Sequence, residues 1–172
     1  MSAGAERRSV SRPARESRHR GRELALQMLY QWEVGRQPID EVRDTFRTRA
    51  DTPSSQDDLP RDHDREAESP AEAVAPDARS FAERLAAGVA ASVADIDPVI
   101  REAAEHWRLE RMNVLDRLVL RLAVYEFLHE PETPSTVIIN EALELARTFS
   151  GDDAVRFVNG VLDAIRRTLD RP

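Results

Sequence analysis

The chain of 172 residues contains no cysteine, which removes disulfides, thiol nucleophiles and cysteine metal sites and fits a cytoplasmic protein. It contains no lysine either: all 25 basic residues are arginine. Codon usage in a GC-rich genome accounts for that bias, but the consequence is chemical. Arginine makes bidentate contacts to phosphate and stacks on bases, which lysine does poorly. No apolar run approaches the ~18 residues of a membrane span, and the charged N-terminus lacks the apolar stretch of a secretory signal. No GxxxxGKS, GxGxxG, GxSxG or HExxH pattern occurs. The four histidines, at 19, 63, 106 and 129, are scattered. With no convergent polar constellation, the sequence argues against an enzyme and supplies no metal or cofactor site.

Hydrophobic residues make up 41% of the chain, enough for one core, and charged residues 33%, so much of the surface is solvated. The net charge of −7 hides an asymmetry. Residues 1–22 carry seven arginines against Glu6 and Glu16. Residues 50–77 carry nine acids and four prolines against Arg61 and Arg65, with no aromatic and no apolar period. The first sixteen residues, almost without apolar side chains, read as a disordered Arg-rich arm, and the acidic stretch reads as a disordered insertion. Residues 17–172 read as one domain interrupted by it. An arginine-rich arm that runs into a helix suits RNA, because each phosphate contact releases counterions and guanidinium planes stack on unpaired bases. A solubilising tail, or one that contacts the acidic stretch, is the alternative.

Helical period dominates the rest. Leu24, Ala25, Met28, Leu29 and Trp32 define a first helix, with Ser17 as a cap and Gly35 as its stop. Pro38 opens a second, along Ile39, Val42 and Phe46. Asp77 begins a third (Phe81, Leu85, Val89, Val93), which "DIDP" ends. Asp97 caps a fourth with Pro98 in its first position, lined by Ile100, Ala103, Ala104 and Trp107. Asn113 caps a fifth, apolar on more than one face (Leu115, Leu118, Val119, Leu122, Val124, Tyr125, Leu128), which predicts the central helix. A sixth carries Ile138, Ile139, Ala142, Leu145, Ala146 and Phe149. In "SGDD", Gly151 stops it and Asp152 or Asp153 caps a seventh that runs to about Leu169. No strand pattern is present. The fold class is all-α, about seven helices.

The seventh helix holds an anomaly. Asn159 and Gly160 sit side by side within it, although Gly costs about 1 kcal/mol in a helix interior. At about 100° per residue, Ala154, Val158, Val161, Leu162, Ile165 and Leu169 form the core face, and Phe157, Gly160 and Ala164 form a small-residue strip with Arg156 beside it. In one reading Gly160 lets a neighbouring helix cross closely, Phe157 packs against that helix, and Asn159 faces solvent or bonds a loop. In the other the strip stays partly open, so that Phe157 stacks a base and Arg156 holds a phosphate.

Four stretches, in order, resemble the NusB family of transcription antitermination factors: "RELALQMLYQWE" (Arg22 to Glu33), "DRLVLRLAVYEF" (Asp116 to Phe127), "INEALELARTFS" (Ile139 to Ser150) and "RFVNGVLD" (Arg156 to Asp163). The resemblance covers 15–49 and 78–170; the long acidic insertion and the all-arginine basic set depart from it. It implies an all-α bundle of about seven helices. It also implies binding of the single-stranded boxA element of nascent RNA, pairing with NusE, the small-subunit ribosomal protein of dual role, and help for RNA polymerase past terminators in ribosomal RNA synthesis. By resemblance the RNA surface falls on Arg15, Arg18, Arg22, Asp153, Arg156 and Phe157, and the NusE surface on Tyr30 and Asp116. Asn159 and Gly160 then serve a tight crossing and a local hydrogen bond that hold the RNA edge. Family members are monomers or homodimers, and the sequence leaves that choice open. Two rivals remain: the RNA-binding domain of a ribosomal RNA methyltransferase, which a chain ending at Pro172 without a methyltransferase domain disfavours, and a helical protein–protein adaptor with an incidental arm.

Overall fold

The computed structural model describes residues 12–51, 75–104 and 107–169. Most of the arm and of the acidic insertion, together with His63 and His106, lies outside the described residues. Seven α-helices occur among those described, and no strand: α1 Arg12–Gly35, α2 Ile39–Asp51, α3 Pro76–Ala91, α4 Val93–Ala103, α5 Val114–His129, α6 Ser135–Phe149 and α7 Asp152–Thr168. A 3-10 turn, Leu109–Arg111, joins α4 to α5.

Helix α5 is the hub that its apolar sequence predicts. It packs on α1, α3, α4, α6 and α7, and every residue from 118 to 124 is buried. Its N-terminus is capped as expected: the Asn113 side chain accepts from the Leu115 N–H at 2.9 Å. Leu128 faces outward instead, beyond the covered part of the helix. Helices α1 and α3 cross closely, and so do α3 and α5, where a Cβ at Gly88 would overlap the Tyr125 ring. Between α6 and α7 only Ser150 and Gly151 intervene; Gly151 has φ +100° and its N–H donates to the Ala146 carbonyl at 2.9 Å. That backbone, which L side chains rarely adopt, folds α7 back on α6.

Several boundaries differ from the sequence reading. Helix α1 begins at Arg12, so residues 12–16 are helical and not part of a loose arm. The third helix ends at Ala91, and Ser92 starts the next, so Pro98 lies inside α4. Its missing N–H would have bonded the carbonyl of Ala94, an exposed residue whose oxygen water can satisfy. Asp97 is therefore not a cap: it is buried and grips Arg121 through two bonds of 2.8 and 2.9 Å. Finally, Gly151 rather than either aspartate occupies the N-cap of α7, with no side-chain cap bond.

Candidate nucleic-acid interface

The first surface is built by α7. Its apolar period turns Ala154, Val158, Val161, Leu162 and Ile165 into the core, while Asp152, Asp153 and Arg156 stay exposed. Phe157 lies at the edge, partly buried against the core. It lines a groove of about 310 Å³ with Ala103, Ala104, Trp107, Arg156, Gly160 and Val161. The Trp107 and Phe157 rings meet at 5.3 Å between centroids, tilted by 57°.

This settles the anomaly in α7, and against the close crossing. Among the described residues a Cβ at Gly160 would meet nothing within 4 Å, so none of the described helices needs the glycine for a close crossing. Asn159 is exposed and bonds none of the described residues, so the expected local hydrogen bond is not found. The small side chain at 160 keeps the groove beside Phe157 open. Arg156 makes no ion pair with any described residue, which leaves its guanidinium available.

The second surface is the start of α1. Arg15 and Arg18 are exposed there. Arg22, expected to contact RNA, is 2% exposed. Its guanidinium donates to both carboxylate oxygens of Glu126 at 2.9 and 2.6 Å, because the helical period carries position 22 onto the face that α5 covers. Three guanidinium groups ring Phe81: Arg18 at 5.5 Å and Arg22 and Arg84 at 5.3 Å each. Arg22 holds Glu126 and Arg84 holds Glu130, but Arg18 pairs with no carboxylate among the described residues. Arg18, Phe81, Pro13, Ala14, Ser17, Ala75 and Asp77 line a second groove, of about 570 Å³. The structure thus brings Arg156 and Phe157 together, and Arg18 and Phe81 together, in two separate grooves.

The third surface lies at the far end of α1. Tyr30 is 43% exposed and Val34, one turn on, 51%. Between them Glu33 turns inward and accepts from Arg117 at 2.8 Å and Arg121 at 3.1 Å. Burial pulls the Arg121 pKa down, but the bonds and charges of Asp97 and Glu33 outweigh it and raise the net value. This network ties α1 to the first turn of α5, where Asp116 sits half-buried. Its Oδ1 is buried and has no hydrogen-bond partner among the described residues. An exposed tyrosine and a half-buried carboxylate thus lie on neighbouring elements, α1 and α5.

Sequence reasoning missed Trp107. Helical spacing in the sequence puts it on the fourth helix, but α4 stops at Ala103 and Trp107 stands beyond it, 61% exposed. The available signal was its neighbour Arg108, an aromatic–arginine pair like Arg156–Phe157. Among the described residues no group of acids and histidines could hold a metal, and no helix is long and apolar enough to cross a membrane.

Fold and surfaces together define a helical binding module with cationic, aromatic grooves. Residues 19–167 match the model of the NusB family, and the chain belongs to that family. Its relatives include the transcription antitermination protein NusB of Koribacter versatilis, 42% identical over 154 residues, which covers 90% of this chain and 91% of that protein. The fold is also similar to NusB of T. maritima, with TM-score 0.68 at 30% identity over 87% of this chain and 90% of that one. A crystal structure of antitermination factors NusB and NusE in complex with dsRNA matches with TM-score 0.68 over 89% of this chain and 98% of that chain; at 20% identity it attests the fold.

Proposed function

We propose that this chain is an RNA-binding transcription antitermination factor. It binds the single-stranded boxA element of nascent ribosomal RNA transcripts together with NusE, in the cytoplasm, and promotes read-through by RNA polymerase without catalysing a reaction. The observation that carries the RNA reading is the pairing of an unengaged guanidinium, Arg156, with a half-open aromatic, Phe157, on a groove that Gly160 leaves unfilled. Family membership and a fold shared with a NusB that was crystallised with NusE and RNA support it. The RNA face comprises Arg15 and Arg18 at the start of α1 and, beside a separate groove on α7, Asp153, Arg156 and Phe157. Arg22 supports that face from within. Tyr30 and Asp116 form the NusE surface, on the other half of α1. All belong to one helical domain, which the acidic segment interrupts.

The test is fluorescence anisotropy with boxA-containing and scrambled RNA, with and without NusE, at ~150 mM salt, where weak non-specific binding fades. Phe157→Ala should weaken boxA binding by roughly 1–3 kcal/mol. Arg156→Ala should lower the salt slope by about one unit. Tyr30→Ala should leave RNA affinity alone and weaken only the NusE-dependent gain. Equal affinity for both RNAs in wild-type protein would overturn the boxA reading.

A further inference from the structure

We infer that Trp107 is a base-stacking residue, and that with Phe157 it forms a two-aromatic cleft for one unpaired base of single-stranded RNA, with Arg156 beside it for a phosphate. The inference rests on the RNA reading above and adds a residue and a mode of binding to it.

Tryptophan is the largest apolar side chain in the chain's alphabet, and burial usually claims most of its ring. Trp107 keeps 61% of its surface open although a closed core lies alongside. The segment that carries it is nonetheless tied down. Its N–H donates to the Ala104 carbonyl at 2.7 Å, and two residues later Leu109 is 2% exposed in the core. A tethered segment therefore presents an uncovered indole. The rings are tilted by 57° and not stacked on each other, and with 61% of Trp107 exposed indole surface is open for a base to stack on. Besides the two rings and Arg156, the described lining residues are Ala103, Ala104, Gly160 and Val161, all small or medium in size.

The charges choose the ligand. Arg156 and Arg108 are exposed and make no ion pair with a described residue. Of the nearby acids, Glu110 is taken by Arg101 at 3.1 Å. Asp153, one turn before Phe157, stays exposed as an acceptor for a base amino group. An open indole beside a second ring and a cation, with an exposed acceptor one turn away, fits a nucleotide. An apolar helix from a protein would need a longer apolar face than two rings and small residues offer.

The experiment uses the full chain, single-stranded RNA containing boxA, and a scrambled control at ~150 mM salt. In Trp32→Phe, Trp107 is the sole tryptophan, and its emission should be quenched as RNA is added. Trp107→Ala should weaken binding roughly 5- to 150-fold, the range for loss of one stacked base, while Trp107→Phe keeps most of the affinity. Melting of Trp107→Ala should stay near wild type, since little of the ring is buried. If Phe157→Ala weakens binding but Trp107→Ala does not, and emission is unchanged, the inference falls while the RNA reading stands. Loss of NusE binding with RNA binding intact would make the cleft a protein site and overturn it. Failure of wild-type protein to bind RNA would remove the RNA reading itself.

Discussion

Arg22 and Arg18 lie one helical turn apart and play opposite parts. Arg22 is sealed with Glu126 at 2% exposure for both side chains. Truncating it removes the two charge-assisted bonds by which Arg22 holds a buried carboxylate, a change that costs about 3–5 kcal/mol. Arg22→Ala should therefore lower the melting temperature sharply, and any loss of RNA affinity would follow from unfolding. Arg18→Ala removes an exposed guanidinium whose described contact is the Phe81 ring. It should cost at most about 1 kcal/mol while lowering the slope of log affinity against log salt by about one unit. Thermal melts and salt titrations on the two variants distinguish these parts. Gly160 gives a second residue-level test. No described residue approaches its Cβ site, so Gly160→Ala should stabilise the protein by about 1 kcal/mol through helix propensity alone. A fall in stability would show a neighbour that the geometry lacks. Neither assignment was legible in the sequence. The partner of Arg22 lies 104 positions along the chain, and a glycine in a helix looks the same whether it admits a neighbour or keeps a groove open.

At the scale of the element, apolar period carried the most information. It gave the core face of α7, whose residues are all buried except Leu169, the half-buried cap beyond its last turn, and the central place of α5. Asn113 was legible as a cap because the bond that it makes is local. The junction of α3 and α4 was misread because "DIDP" carries strong start signals, yet Asp97 is held by the tertiary demand of Arg121 and not by its own backbone. Trp107 was misplaced for the same reason: helical spacing continues in the sequence after the helix has stopped. Toward the C-terminal end of α7, local chemistry again suffices. The Asp163 carboxylate accepts from Arg166 at 3.3 Å and also from Arg167. The Arg166 bond first, and then Arg167, hold its pKa below the ordinary aspartate value. A depressed folded-state pKa means that the support is present above the unfolded value and is lost as pH falls through the folded one. An NMR titration should thus place the Asp163 midpoint below that of a free aspartate, and Asp163→Asn should abolish the difference in α7 fraying between neutral and acid pH. An unshifted midpoint would mean that these pairs do not persist in solution.

Across the whole molecule, charge is divided between parts that oppose one another. The exposed arginines of α1 and α7 face outward, while residues 52–74 hold seven acids against Arg61 and Arg65. That segment joins Asp51 of α2 to Pro76 of α3, and those helices are fastened to each other without it: Arg47 donates to Glu83 at 2.9 Å, and Arg43 lies 3.8 Å from the same carboxylate. Replacing 52–74 with a flexible linker of about ten residues, which reaches ~33 Å when extended, should preserve the helical content. Shortening the loop should raise stability by about 0.7 kcal/mol from closure entropy. Removing the acids should also tighten RNA binding at low salt, because they repel phosphate and compete for the same arginines. Screening shortens the reach of these charges from ~30 Å at 0.01 M salt to ~8 Å at 0.15 M, so the gain should fade as salt rises. The measurements are melting curves and RNA affinities at both ionic strengths. A large drop in melting temperature would show that the segment packs onto the bundle, and an RNA affinity that is unchanged at low salt would show that its acids do not act on the arginine faces.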